Sequence, residues 1–191
     1  MEAGRVEMAA GRVPFSGYAD DCTLSGEVRL DADRLSDFLS STAAFEVDRV
    51  VARALDDGRI IESETAALLR DELCIVLATG PRGRPERRVW TRQLPVRVQV
   101  GPYVVLGYLH APPTIDPIKS NERRAVVPLT SSVIQYTVAG QPMLEALDVA
   151  LLVGRRIAGI TYATSGELAA AHVGVDPARA PDDASQNGAP R

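Results

Sequence analysis

The fold is decided by the stretch ALLRDELC at residues 67–74, which aligns with ALLVGRRI at residues 150–157. Apolar residues stand at matching positions of both stretches, and each apolar run breaks at charged residues or at a glycine. Upstream, the extended pattern around Gly26 matches the pattern around Gly107 at nearly the same offset. Few identities survive, but the apolar spacing, the glycine and the turn positions do. The chain is therefore predicted to hold two copies of one small unit, with small insertions between the matching stretches.

The copies also decide a local ambiguity. Residues 63–73 alone have strong helix propensity, with Ser63 as a cap. Their counterpart, residues 149–157, is rich in residues that favour strands and breaks at Gly154 before two arginines. If the copies share one fold, residues 66–69 and residues 73–77 are two strands joined at Arg70, Asp71 and Glu72. We therefore predict a hairpin there and not a helix.

The rest of the unit follows from hydrophobic periodicity. Residues 24–30 alternate apolar and polar side chains, which is typical of a strand with one wet face. A short helix follows, with Asp31 or Asp33 as its cap and apolar residues at i, i+3 and i+4 of residues 35–39. In the second copy, Asp116 and Pro117 occupy this helix slot. Each unit is predicted to be a strand, a short helix or loop, and three or four further strands. The fold class is mainly β: two tandem small β-barrel-like domains in a pseudo-twofold arrangement, each with one short helix.

Composition sets the boundaries. The chain has 191 residues, of which 46% are hydrophobic and 24% charged, as in an ordinary soluble globular protein. Its apolar runs are too short to cross a bilayer, and its start lacks the apolar core of a secretory signal, so we predict a cytoplasmic protein without membrane contact. The predicted divisions are a loose leader (1–14), a first β-domain (15–80), an arginine-rich linker (81–88), a second β-domain (89–163) and a disordered tail (164–191).

The charge of the two copies is opposite. Residues 18–80 hold 6 basic and 14 acidic side chains, whereas residues 81–160 hold 11 basic and 5 acidic ones. Halves of opposite sign attract each other, which can orient the copies within one chain or join chains head to tail. Drift of surface charge after duplication is the alternative explanation.

Two stretches carry a resemblance to a known family. They are GYLHAPP at residues 107–113, followed by VPLT at residues 127–130, and GEV at residues 26–28 with RLSDFLS at residues 34–40. On these stretches the chain resembles an uncharacterised family of small bacterial β-domains, Sm-like or SH3-like in shape, present here as a tandem duplication. The resemblance covers about residues 15 to 160 and implies no catalytic residues. The helix motif is clear only in the first copy.

Residues able to carry chemistry have structural explanations. Cys22 and Cys74 lie in strand-like runs, and the second copy has Tyr103 and Ile157 at or next to the matching positions, so buried, reduced thiols are expected. The histidines, His110 and His172, lack the spacing of a zinc site. Paired aspartates at residues 20–21 and 56–57 fit turns better than acid–base catalysis. Glycines 80 and 83 lack the Lys-Ser/Thr ending of a phosphate loop. We expect no enzymatic activity, no cofactor and no bound metal.

One cluster favours an interaction. Six arginines and the single tryptophan fall within residues 82–97, and arginine binds phosphate or carboxylate while an indole stacks on bases. The predicted interaction residues are Arg82, Arg84, Arg87, Arg88, Trp90, Arg92 and Arg97. A solvated linker, docking on an acidic protein surface and nucleic-acid binding all fit this composition, although a pI near 5.3 disfavours a dedicated nucleic-acid binder. The preferred hypothesis is a non-catalytic adaptor or assembly protein that acts through protein–protein interaction or self-association. The alternative is an RNA-binding or other nucleic-acid-binding Sm-like module.

Overall fold

A computed structural model describes residues 11–79, 91–121 and 124–175 of the chain. Within these residues, ten β-strands pair antiparallel in a single sheet, accompanied by three short α-helices. The mainly β fold that the sequence predicts is confirmed. The strands are β1 (Gly11–Ala19), β2 (Cys22–Leu30), β3 (Ala44–Ala54), β4 (Ile60–Leu69), β5 (Leu73–Leu77), β6 (Arg92–Val100), β7 (Tyr103–Ala111), β8 (Val126–Val138), β9 (Gln141–Val153) and β10 (Ile157–Tyr162). The helices are α1 (Leu35–Ser41), α2 (Pro117–Asn121) and α3 (Ser165–Val173).

The two halves of the sheet have the same order of elements. The strand order is β10-β6-β7-β8-β9-β5-β1-β2-β3-β4, so the fifth strand of each half pairs with the first strand of that half. A helix stands between the second and third strands of each half, and a short 3-10 turn links the fourth strand to the fifth. These turns are Arg70–Glu72 and Gly154–Arg156.

The glycine shared by both copies has a steric explanation. Gly26 and Gly107 each sit at a register shift between the second and third strands of their half. A Cβ atom at Gly26 would lie 2.6 Å from the carbonyl oxygen of Asp48, and one at Gly107 would lie 2.7 Å from Ser132 Oγ. Both distances are shorter than a non-bonded contact tolerates, so the close approach of the next strand requires glycine at these bulges.

A central seam joins the two halves. Strand β5 of the first half pairs with β9 of the second, which leaves β4 and β10 as the ends of the described sheet. Because the described strands form one open sheet and β4 does not pair with β10, two separate closed barrels are not confirmed. The pseudo-twofold arrangement is not confirmed either, since a twofold axis pairs equivalent strands, whereas the seam joins the fifth strand of one half to the fourth strand of the other.

The hydrophobic core also extends across the seam. One buried cluster lies in the second half but includes Tyr18, Cys74 and Ile75 from the first. The other lies in the first half but includes Val126, Leu151 and Val153 from the second. Since each half completes the core of the other, the seam is a permanent part of the fold.

Within the ambiguous stretch, residues 63–69 are strand and not α-helix, as the repeat predicts, and residues 70–72 form a 3-10 turn. The predicted hairpin is wrong, however. Strands β4 and β5 are consecutive along the chain, but β4 pairs with β3 while β5 pairs with β1 and β9. The 3-10 turn between them carries the chain from one end of the five-strand unit to the other.

Two predicted segment boundaries differ from those in the structure. Strand β1 begins at Gly11, inside the predicted leader. Helix α3 occupies the start of the predicted disordered tail, because Thr164 and Glu167 form a reciprocal capping box and Leu168 is buried. Residues 1–10, 80–90 and 176–191, which include the predicted linker, lie outside the described residues.

The predicted helix caps have different outcomes. Helix α1 starts after Arg34, whose side chain makes no cap hydrogen bond, so a cap by Asp31 or Asp33 is wrong. The predicted buried face of α1 is confirmed at Leu35, Phe38 and Leu39. In the second half, the Asp116 carboxylate accepts the backbone N–H of Ile118 at 3.0 Å, as a cap requires.

Candidate functional site: the seam and the sheet edges

The seam is built from apolar side chains in a regular antiparallel register. Ile75 lies opposite Leu152, Val76 opposite Leu151, and Leu77 opposite Ala150. Beyond the last pair, the backbone N–H of Ala78 donates to the carbonyl of Val149 at 3.1 Å. Backbone pairing and burial therefore act together at this boundary, and neither half exposes it.

Charge pairs also cross the seam, with the acid in the first half and the base in the second. Arg156 donates to the Asp20 carboxylate and lowers the pKa of that carboxyl group below its usual value. Arg155 lies 3.2 Å from Asp71, whose pKa is lowered mainly by the hydrogen bond from Arg70. The opposite charges of the two halves thus meet at the seam. These side chains are partly exposed, so water and salt screen the attraction.

A cluster of three tyrosines fills the seam beside these ion pairs. The rings of Tyr18, Tyr103 and Tyr136 pack with centroid distances of 5.5 to 6.0 Å. Tyr18 and Tyr136 both donate to the carboxylate of Glu145, Tyr18 at 2.6 Å, and Tyr103 donates to the carbonyl of Ala19 at 2.6 Å. Burial raises the pKa of all three phenols well above the usual range. They stay protonated donors, which fits a structural network better than proton transfer.

The cysteines belong to the packing of the seam. Cys74 is buried and Cys22 is half-buried, and both thiols are free. The Cys74 thiol lies 3.3 Å from a carboxylate oxygen of Asp20. Burial raises the pKa of both thiols to about 11, so neither forms the thiolate that nucleophilic catalysis needs at neutral pH. The prediction of reduced packing thiols is confirmed for Cys74 and holds in part for Cys22.

The remaining polar candidates also make structural contacts. His110 links Thr91 at 3.2 Å and Thr130 at 2.7 Å, and burial lowers the pKa of its imidazole. The second histidine, His172, contacts the carbonyl of Ser131. The Asp57 carboxylate accepts the backbone N–H of Arg59 at 2.8 Å, which confirms the predicted turn.

An open groove of about 810 Å³ lies beside the seam. Its polar lining residues are Asp20, Asp21, Asp56, Arg59 and Thr137. One of these groups, Asp20, already forms an ion pair with Arg156, so its carboxylate has a structural role in the seam. Among the described residues, no cluster of histidine, cysteine and carboxylate side chains could hold a metal ion.

The predicted arginine cluster lies mostly outside the described residues. Arg82, Arg84, Arg87, Arg88 and Trp90 lie outside the described residues. The two remaining members are on β6, where Arg92 donates to the carbonyl of Ile115 at 3.2 Å and Arg97 lies 3.8 Å from Glu167. An odd separation along a strand puts these two side chains on opposite faces, so they do not form one patch. The nucleic-acid alternative stays a prediction.

The open edges of the sheet are formed by two strands that the sequence alone did not identify as edges. Within residues 11–79, 91–121 and 124–175, no strand pairs with the outer side of β4 or of β10. The edges carry large apolar side chains that are more than half exposed in three cases: Ile60 at 60%, Ile61 at 54% and Tyr162 at 58%. Unpaired strand edges with exposed apolar groups are templates for pairing with further strands. Alternation along each strand was readable in the sequence, but which strands end the sheet was not.

No model of a known protein family, no curated protein and no solved structure matches the chain. Among the described residues, none of the helices has the length and apolar character needed to cross a membrane.

Proposed function

We propose that the protein is a non-catalytic assembly component that self-associates through the open edges of its sheet. The observation that carries this proposal is that the sheet ends at β4 and β10, both unpaired among the described residues and both lined by exposed apolar side chains. An unpaired edge leaves a row of backbone N–H and C=O groups free to bond to another strand.

The absence of catalysis belongs to the same proposal. Its support is that the polar groups of the seam are bonded to one another, as in the donation from two tyrosines to Glu145 and from Arg156 to Asp20. The free thiols are held in their protonated form by burial. Groups bonded in this way stabilise an interface and are not poised to attack a substrate.

The domain architecture is part of the proposal too. We infer that each half is one small barrel-like unit of Sm-like or SH3-like shape, and that the chain is a tandem pair of them. The support is the identical strand order of the two halves, with the 3-10 turn before the fifth strand in both. Units that small bury limited cores, which explains why they share core residues across the seam.

A proline at the β4 edge tests the proposal. Arg70 donates its backbone N–H to Ala43 at 2.8 Å, so the backbone of residue 70 faces β3. Because backbone groups of a strand face alternate sides, the N–H of Ala67 faces the open edge. Ala67→Pro removes that edge donor and keeps the bonds to β3, whereas the matched control Ala67→Ser keeps the donor.

The measurement is sedimentation velocity of the full chain over a range of concentrations. We expect the parent and the Ala67→Ser variant to associate, and the Ala67→Pro variant to sediment as a monomer with an unchanged circular dichroism spectrum. A parent chain that stays monomeric at all concentrations would overturn the proposal. An Ala67→Pro variant that associates as strongly as the parent would remove the β4 edge from it.

A further inference from the structure

The internal seam provides a template for contacts between chains. It joins the fifth strand of one half, β5, to the fourth strand of the other half, β9. The strands left at the edges are the fourth strand of the first half, β4, and the fifth strand of the second half, β10. The geometry points to a head-to-tail contact, resting on the proposed self-association, in which β10 of one chain pairs antiparallel with β4 of a second copy in the register of the seam.

The equivalence of β5 and β10 follows from their pairing with the first strand of each half. Leu73 lies opposite Ala19, and Ile157 lies opposite Val100. In both halves the strand register shifts directly after this pair, so the same β-bulge lies at the same position of the fifth strand. Leu73 and Ile157 are therefore equivalent positions, and at the same offset Ile160 corresponds to Val76.

The equivalence of β4 and β9 follows from the 3-10 turns. Arg70 donates its backbone N–H to Ala43 at 2.8 Å, and Gly154 donates its backbone N–H to Ala125 at 2.9 Å. Arg70 is thus equivalent to Gly154, whereas the apolar pattern of the sequence alone aligns it with Val153. The two alignments differ by one residue, and a slip of one residue exchanges the two faces of a strand. The backbone hydrogen bonds select the alignment of Arg70 with Gly154. At this offset, which is the same as that of β5 and β10, Ala66 corresponds to Ala150.

The register of the contact between chains follows directly. In the seam, Leu77 lies opposite Ala150 and Val76 opposite Leu151. The equivalent pairs between chains are Thr161 of one copy opposite Ala66 of the next, and Ile160 opposite Ala67. All of these positions lie in β10 or β4.

Burial shows what a second copy would cover. Leu69 on β4 is 49% exposed, whereas its equivalent on β9, Val153, is 1% exposed because the other half covers it. Ala67 is exposed, whereas its equivalent Leu151 is buried in the core cluster that crosses the seam. A strand laid along β4 in the register of the seam would cover Leu69 and Ala67 in the way that the first half covers Val153 and Leu151.

Charge also favours a second copy. Asp71 and Arg155 are equivalent positions of the two 3-10 turns, and they pair with each other at 3.2 Å across the seam. In the contact between chains these two positions exchange roles, so Arg155 of one copy faces Asp71 of the next and the contact is again attractive. Antiparallel pairing of two β4 edges, or of two β10 edges, through a twofold axis would place the two 3-10 turns at opposite ends of the paired strands and would form no such ion pair. Opposite charge therefore selects the head-to-tail contact.

Cysteine cross-linking tests the register. Ala78 and Val149 are hydrogen-bonded partners, so by alternation Leu77 and Ala150 form a non-hydrogen-bonded pair. In such a pair the Cα atoms lie about 4.5 Å apart, within the range of a disulfide. Thr161→Cys and Ala66→Cys, the equivalent pair between chains, are made as two separate single variants of the full chain. Mixed and oxidised, they should give a covalent dimer on a non-reducing gel, well above the amount from either variant alone.

Two controls set the background. The parent chain, which contains Cys22 and Cys74, shows cross-linking by native thiols. A mixture of Thr161→Cys with Glu62→Cys places the second thiol on the same face of β4 but four residues out of register. We expect both controls to give at least about tenfold less dimer, because a disulfide does not span that separation.

The outcomes separate this inference from the proposed function. Dimers from Thr161→Cys alone would show like edges pairing through a twofold axis and would overturn the head-to-tail contact. Association in the ultracentrifuge without a cross-link in the Thr161 and Ala66 mixture would overturn the register while the proposed self-association stands. A chain that stays monomeric in the ultracentrifuge would overturn both.

Discussion

Strands β5 and β10 occupy equivalent places in the two halves, yet one is the most buried strand of the sheet and the other is an edge. Leu73, Ile75 and Val76 of β5 are at most 1% exposed, whereas every residue of β10 is half-buried or exposed. Their sequences differ accordingly: β5 reads LCIVL, and β10 reads IAGITY. A strand that is permanently covered on both sides can be wholly apolar, whereas an edge strand keeps glycine and threonine among its apolar residues. The comparison indicates a permanent contact at the seam, whereas the contact that we propose at the edge would be reversible.

Truncation of one matched side chain gives the largest expected difference between the two strands. Leu73 is buried in the core, and its equivalent Ile157 is half-buried. Leu73→Ala should lower the free energy of unfolding by about 3 kcal/mol, because it leaves a cavity in a closed core. Ile157→Ala should lower it by about 1 kcal/mol, because part of that side chain is already in water. Urea titrations of both variants at one low protein concentration measure the two losses, and equal losses would contradict the distinction between seam and edge.

Strands β5 and β10 show which structural features the sequence can predict. Alternating and apolar runs predicted the strands correctly, and the match with residues 149–157 correctly set aside the helix propensity of residues 63–73. The spacing of Leu35, Phe38 and Leu39 correctly predicted the buried face of α1. These features are local, so they can be read from the order of residues along the chain.

The seam could not be read in this way, because its contacts join residues far apart in the chain. Tyr18 and Glu145 are separated by 127 residues, and Asp20 and Arg156 by 136. Apolar strands of similar pattern offer many possible pairings, and the hydrophobic pattern alone does not choose among them. Helix α3 is different: Thr164 and Glu167 are a readable capping box, but the Ala, Gly and Pro content of the surrounding tail outweighed it.

Two tyrosines sharpen the comparison with a smaller change. Tyr18 donates a hydrogen bond to Glu145 inside the seam, whereas Tyr162 on the edge strand is 58% exposed. Tyr18→Phe keeps the ring contacts but removes one donor to a carboxylate, which should cost about 2 kcal/mol of unfolding free energy. Tyr162→Phe should change that free energy by less than about 0.5 kcal/mol. The same urea titrations compare them, and a Tyr18→Phe variant as stable as the parent would mean that the phenol network contributes little to the seam.

Acid should act on the seam through Asp20, with the smallest of the three effects. Its counterpart in the second half is Gly101, so only the seam has this carboxylate. The hydrogen bond from Arg156 lowers the folded-state pKa of Asp20 below the usual 3.8, so the unfolded chain binds a proton first as the pH falls. The stabilisation by Asp20 is therefore complete above about pH 5 and is lost as the pH falls from the unfolded pKa through the lower folded-state pKa. The Asp20→Asn variant should lose less stability than the parent between about pH 5 and pH 3 in parallel urea titrations.

The control Asp33→Asn removes an exposed carboxylate before α1 and should follow the parent. Identical acid sensitivity of the parent and Asp20→Asn would show that the ion pair to Arg156 does not couple the two halves, because screening at a side chain that is 56% exposed cancels its attraction.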